Sequence, residues 1–353
     1  MSDRKNGMTL KFDRTAEGSG AEALCRLENG RAFLEWRFHL EAYSGEECRK
    51  LTLPGDGEEF LSGRESPEQL IRLRLTDSGE NPVLECVQFL REEEPMQSVL
   101  PQPEIWKGTA EPCLYKLEAV LADRAGNCLD RIQDFLPLRQ VEHRQGSTEV
   151  LLNGEVFQKR MVRYGLPERG NPAERQRLIL EDLRILQRLG ANCLLLEAGD
   201  SPDRRCLGRL CDRFGFLVFS PEKTADRTDI PVFRGIRNSF FLPGGKGPSP
   251  LFYQYRAKWS REPFVYLVPE SLKRLDDGKY AVCCYSNCSR VALYTDGRLF
   301  EFRTGELVFS FCEIPCTKPT IMLTAEGDGC SHSLSIHKSF TKLSPFDDIF
   351  PLE

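Results

Sequence analysis

"LGANCLLLEAGDSP", residues 189–202, decides how this chain is read. Gly190 closes a helix, because glycine takes the left-handed conformation that ends one. Cys193 to Leu196 are then four apolar residues in a row, bounded by turn signals. A short continuous apolar run of this kind fits a strand buried on both faces, as in a parallel sheet. Two carboxylates, Glu197 and Asp200, appear where the strand gives way to loop. In parallel α/β proteins chemistry collects at that end of the strands.

Reading outward from this stretch gives a repeating order. Upstream, "LLNGEVF" (151–157) places Asn153-Gly154 between apolar residues, a hairpin signal because both turn positions need positive φ. "KRMVRYG" (159–165) reads as a strand. "NPAERQRLILEDLRILQRLG" (171–190) is a helix, with Leu178, Leu183, Leu186 and Leu189 at helical spacing. Downstream come helix "DRRCLGRLCDRFG" (203–215) and strand "FLVFS" (216–220). β-α-β-α-β with short connections means parallel strands joined by right-handed crossovers.

Both flanks are β-patterned. In "FLEWRFHLEA" (33–42) Leu34, Trp36, Phe38 and Leu40 alternate with polar residues, the period of a half-buried strand, and Ile71, Leu73 and Leu75 repeat it. Turn-rich stretches such as "LPGDGEE" and "DSGENP" separate the strands, as in an antiparallel sandwich. Beyond the parallel segment, 223–250 is rich in glycine and proline and reads as surface loop. A short aromatic helix, "LFYQYRAKW" (251–259), leads into a second β-region, where Asp296-Gly297 marks a hairpin.

Composition narrows the class. The chain has 353 residues, 40% hydrophobic and 29% charged, with a formal net charge of -5, which argues against nucleic acid as a partner. Basic runs alternate with acids and read as solvated helix faces. No stretch approaches the ~18 apolar residues of a membrane span, and "MSDRKNGMTLKF" lacks the apolar core of a signal peptide. The expected location is the cytoplasm, where fourteen cysteines are free thiols packing as small hydrophobes. Cys283, Cys284 and Cys288, followed by Cys312 and Cys316, lack paired C-x2-C spacing, so no metal site and no cofactor are expected.

Several strings, in order, resemble glycoside hydrolase family 2, the β-galactosidase and β-glucuronidase family. "PEIWKGTAEPCLYKLEAVL" (103–121) is similar to the segment that closes that family's immunoglobulin-like domain before the barrel, and "LLNGEVFQKRMVRYG" (151–165) to its hairpin and first barrel strand. "DLRILQRLGANCLLL" (182–196) and "LCDRFGFLVF" (210–219) resemble its next helices and strands. "LFYQYRAKWSREPFVYLVPE" (251–270) and "YSNCSRVALYTDGR" (285–298) resemble its last barrel helix and C-terminal β-domain. The resemblance implies two immunoglobulin-like β-sandwiches, 1–142 and 261–343, flanking an incomplete (β/α)8 barrel remnant, 143–260, with a tail at 344–353.

The departures decide the expected function. A (β/α)8 barrel takes about 250 residues, yet about a hundred separate Gly154 from Trp259. Strands four to eight are expected to be missing. Retaining glycosidases use two carboxyl groups about 5–5.5 Å apart, and the family's acid/base sits in an asparagine-glutamate pair, which occurs nowhere in this sequence. The family's arginine-histidine pair at the end of strand one is Arg163-Tyr164 here. Its arginine on strand two is Leu195, and its histidine is Ala198 or Gly199.

The resemblance therefore implies a catalytically inactive relative that serves as a carbohydrate- or protein-binding or assembly module. Its partners would be a carbohydrate, a second copy of the chain or a glycosidase partner chain. The alternative is an active O-glycosyl hydrolase, using the rim carboxylates Glu197 and Glu222 or a barrel completed by a partner chain. Arg163, Tyr164, Asp200 and Trp259 are the candidate substrate-binding residues. Asp200 also suits helix capping. The aromatic run from Phe240 to Trp259 either stacks on a ligand or plugs the opening left by the absent strands. A Ser-His-Asp or Cys-His site is disfavoured, because His39, His143, His332 and His337 all lie outside the parallel segment.

Overall fold

A computed structural model describes residues 9–14, 20–44, 47–53, 69–90, 95–144, 147–196, 203–220, 230–233, 240–241 and 248–337. It divides into two compact units, Met1–Gln158 with Pro202–Leu217, and Lys159–Ser201 with Val218–Glu353. β-strands dominate both, with few helices.

The first unit is organised on one long strand. β3 (Arg31–Ser44) pairs with β1 (Thr9–Phe12), β2 (Ala21–Glu28), β4 (Glu47–Leu53) and β7 (Gln97–Pro101). A second antiparallel sheet runs in the order β6 (Pro82–Phe89), β5 (Gln69–Thr76), β8 (Tyr115–Asp123), β9 (Cys128–Leu136). The period-2 pattern works as the sequence dictates: Leu34, Trp36, Phe38 and Leu40 meet Ile71, Leu73 and Leu75 in one core shared by both sheets. Trp36 keeps its indole N–H satisfied by donating to Ser98 Oγ at 2.8 Å.

Three short strands, β10 (Val141–His143), β11 (Val150–Leu152) and β12 (Glu155–Val156), follow. Asn153 and Gly154 turn the hairpin at φ +54° and +83°. Asn153 also ties this hairpin to the preceding chain, donating through Nδ2 to the Trp106 carbonyl at 2.9 Å. The same unit holds α2, Asp203–Phe214. Trp106 Nε1 donates to the Asp212 carbonyl at 2.8 Å, and Arg139 pairs with the Asp212 carboxylate at 2.7 Å while lying over the Trp106 ring.

The second unit begins with the parallel strands. β13 (Met161–Tyr164) lies beside β14 (Cys193–Leu196) in register Met161↔Cys193 to Tyr164↔Leu196. Helix α1, Pro172–Leu189, makes the crossover. Asn171 and Glu174 form a reciprocal capping box, Pro172 holds the first turn, and Gly190 closes the helix at φ +90°. Its buried face is Ile179, Asp182, Leu183, Leu186 and Leu189, so Ile179 takes the place the leucine spacing assigns to Leu178. β15 (Leu217–Phe219) follows β14 in the sheet order.

The segment 223–250 is not surface loop throughout. β16 (Val232–Phe233) runs parallel to β13 on the edge opposite β14, in register Arg163↔Val232 and Tyr164↔Phe233. Phe233 and Phe240 are buried. The sheet therefore holds four strands, in the order β15-β14-β13-β16, where the sequence reading finds three. The physical reason is the open edge of β13, whose unpaired amides and carbonyls need a partner. Val232 and Phe233 supply one despite the breakers around them.

Helix α3, Pro250–Trp259, then leads to two further antiparallel sheets. One holds β17 (Val265–Leu267), β18 (Lys273–Arg274), β19 (Tyr280–Ser286) and β22 (Leu307–Ile314). The other runs β21 (Arg298–Thr304), β20 (Arg290–Thr295), β23 (Thr320–Gly327), β24 (Cys330–His337). They share a core that includes Leu267, Val282, Phe311, Leu293 and Leu323. Tyr253 of α3 stacks on Tyr266 of β17 with ring centroids 3.5 Å apart.

Gly190 also lets two helix ends meet. A Cβ there would lie 2.5 Å from the Trp259 carbonyl carbon and oxygen, whereas a Cβ on Gly154 would meet nothing within 4 Å. Gly154→Ala is expected to cost about 1–2 kcal/mol for left-handed backbone alone. Gly190→Ala should cost at least about 1 kcal/mol more. Equal urea midpoints for the two variants would contradict this packing.

Candidate functional site

The ends of β13 and β14 place the residues that a sugar pocket would use. Tyr164, the last residue of β13, is fully buried. Its hydroxyl donates to Asp182 Oδ2 on α1 at 2.8 Å, and its ring stacks on Phe233 at 6.2 Å. Tyr164 thus belongs to the face of the sheet that α1 covers. Strand alternation puts Arg163 on the opposite face, beside its register partners Leu195 and Val232.

Arg163 is half-buried, and its backbone N–H donates to the Pro231 carbonyl at 2.9 Å. Leu195, standing where the resemblance expects an arginine, is only 3% exposed. An aliphatic side chain so enclosed offers no hydrogen bond to a hydroxyl group. At the other end of β14, burial pushes the Cys193 thiol up to about 12, which leaves it inert.

Aromatic side chains run on from Tyr164. Phe233 meets Phe241 edge-on at 5.4 Å, and Phe240 makes edge contacts with Phe252 and Tyr255 at 6.1 and 5.6 Å. Tyr255 in turn meets Trp259 at 4.6 Å. Rings packed at these distances hold one another; Phe233, Phe240 and Phe252 are buried, and Phe241, Tyr255 and Trp259 are half-buried. Trp259, a candidate sugar contact, is half-buried at the end of this chain, with its carbonyl held against Gly190.

The structure thus brings Arg163, Tyr164 and Trp259 into one unit, with the Tyr164 side chain turned to the helix. Tyr164, a candidate substrate-binding residue, is buried with its hydroxyl on Asp182 and its ring on Phe233. The alternation of β13 carried the signal, because Val162 and Tyr164 share a face and both are buried. The other candidates, Glu197, Asp200 and Glu222, lie outside the described residues, as do Ala198 and Gly199.

Asp182 is the residue that sequence reasoning missed. Its position on the buried face of α1, among leucines, is what distinguishes it. The histidines lie on β3, β10 and β24; His39 is less exposed than its alternation implies, with Nδ1 3.2 Å from Thr52 Oγ1. Among the described residues no group of three or more His, Cys, Asp or Glu is placed to hold a metal ion.

Tyr164→Phe removes the donor to a buried carboxylate. It should lower stability by about 1.5–3 kcal/mol, read as a reduced urea midpoint. An unchanged midpoint would show that the contact is not structural.

No family profile and no curated protein matches this sequence. Solved structures do. An FMN-binding β-glucuronidase from Facaelibacterium prausnitzii L2-6 superposes with a TM-score of 0.69 at 14% identity, over 93% of this chain and 75% of that one. A putative β-galactosidase from Bacteroides fragilis gives 0.62 at 13% identity, over 93% and 74%. Bacteroides uniformis β-glucuronidase 2, covalently bound to cyclophellitol-6-carboxylate aziridine, gives 0.61 at 13% identity, over 93% and 62%. At these identities the likeness is one of fold, and it agrees with the family resemblance read from the sequence. The chain has the fold of β-glucuronidases and β-galactosidases of the glycoside hydrolase family 2 type.

Proposed function

We propose that this chain is a family 2-like glycosidase relative that binds a carbohydrate or assembles with another chain without cleaving glycosidic bonds. On this reading its four-stranded sheet is an incomplete (β/α)8 barrel, 143–260, between immunoglobulin-like sandwiches at 1–142 and 261–343. β16 then stands in the place of the final strand, which in a closed barrel pairs with the first.

The observation that carries the proposal is Leu195. It faces Arg163 across the strand pair and is enclosed by packing, at the position where the family has an arginine directed to the sugar. A site built to hydrogen-bond a hydroxyl loses that function when apolar groups replace its donors. The absence of any asparagine-glutamate pair supports the same reading.

The competing reading keeps hydrolysis, with Glu197 and Glu222 as an improvised carboxylate pair or with a partner chain completing the barrel. Neighbouring strands lie about 4.8 Å apart, which suits a retaining pair. A panel of aryl β-glucuronides and β-galactosides, run on purified protein of measured oligomeric state, separates the two. The expected outcome is release no faster than in buffer. Turnover abolished by Glu197→Gln or Glu222→Gln would establish the hydrolase instead. Turnover by an oligomer only would favour the completed barrel.

A further inference from the structure

The C-terminal sheets hold two cysteines in contact. Cys288 lies in the crossing from β19 to β20, and Cys330 opens β24 directly after the Asp328-Gly329 turn. They are 42 residues apart in sequence, and their Sγ atoms are 3.9 Å apart. Gly327, the register partner of Cys330, makes this approach feasible, because a Cβ there would lie 3.1 Å from Cys288 Cβ and Sγ. Cys330 Sγ donates to the Gly327 carbonyl at 2.8 Å, and Cys288 Sγ faces the Phe264 carbonyl at 3.8 Å. The neighbouring thiols turn elsewhere, Cys283 to Ser310 Oγ and Cys284 to the Tyr285 carbonyl.

We propose that Cys288 and Cys330 form an oxidative modification site, closed to a disulfide by a low-molecular-weight disulfide such as oxidised glutathione. An S–S bond is about 2.05 Å long, so the two side chains together have about 2 Å to cover. Cys330, half-buried, is the accessible partner, whereas Cys288 is buried. The Cys330 thiolate attacks one sulfur of oxidised glutathione, and the other leaves as glutathione thiolate and takes up a proton. The Cys288 thiolate then attacks Cys330 Sγ and displaces the second glutathione. Two protein thiols lose two electrons, and one glutathione disulfide gains them.

The product ties the β23–β24 turn to the crossing between the two sheets. Burial, followed by the neighbouring Cys288, raises the Cys330 thiol to about 11. Its reactive thiolate is therefore scarce at neutral pH, and the rate should rise about tenfold per pH unit below that value. The site locks slowly and is not a rapid sensor.

The test uses the full chain incubated with oxidised glutathione at mildly alkaline pH, alkylated and digested without reduction. The expected result is a Cys288–Cys330 cross-linked peptide, lost on reduction. It should come with a melting temperature raised by about 5 °C or more. Cys288→Ser should instead accumulate the Cys330–glutathione adduct and show no such rise. A stable glutathione adduct on Cys330 in the unmutated chain, an unreacted Cys330, or a cross-link to a different cysteine would each overturn the proposal.

Discussion

The pairing of β16 with β13 is the contact on which the second unit rests. A parallel strand in an α/β arrangement is buried on both faces and needs a hydrogen-bonding neighbour on each edge. β14 provides one neighbour and β16 the other, with Arg163 N–H donating to the Pro231 carbonyl. The pairing also seats Phe233 against Tyr164, and through Phe240 it connects the sheet to α3. Without this strand the ring of Tyr164 and the whole aromatic series would lose their central member.

Packing of this kind fills the strand ends with core. A glycosidase spends the C-terminal ends of its strands on groups held out toward substrate. Here Tyr164 turns back to Asp182, and Leu195 is enclosed. Both choices favour a closed core over a polar pocket. Burying a side chain such as leucine contributes about 1.5–3 kcal/mol. An unpaired hydrogen-bonding group enclosed at the same position would instead cost free energy.

Local chemistry made much of the fold legible. The Gly190 end of α1, the turn at Asn153-Gly154 and the alternation along β3 are each set by residues close in sequence, and each stands where the sequence places it. β16 was not legible, because two residues between breakers carry no period and their partner on β13 is roughly seventy residues away, a pairing that only the folded sheet reveals. The strand end that carries the candidate residues was legible, and the faces of their side chains were not. Arg163 and Tyr164 end β13 as the strand reading has it, but the face each side chain takes depends on how α1 packs against the sheet. Asp182 was hidden for the same reason, since an acid within a helix reads as solvated until the partner strand supplies its donor.

The proposal that this glycosidase-like fold leaves glycosidic bonds intact implies that no carboxylate in it acts as a glycosidic nucleophile. Intact mass after prolonged incubation with a cyclophellitol-type aziridine tests it most directly, because such a probe is trapped by a retaining nucleophile whether or not turnover is fast enough to see. The account predicts an unchanged mass with both the glucuronic- and galactose-configured probes. A stoichiometric adduct, mapped to Glu197, Glu222 or any other carboxylate, would contradict it.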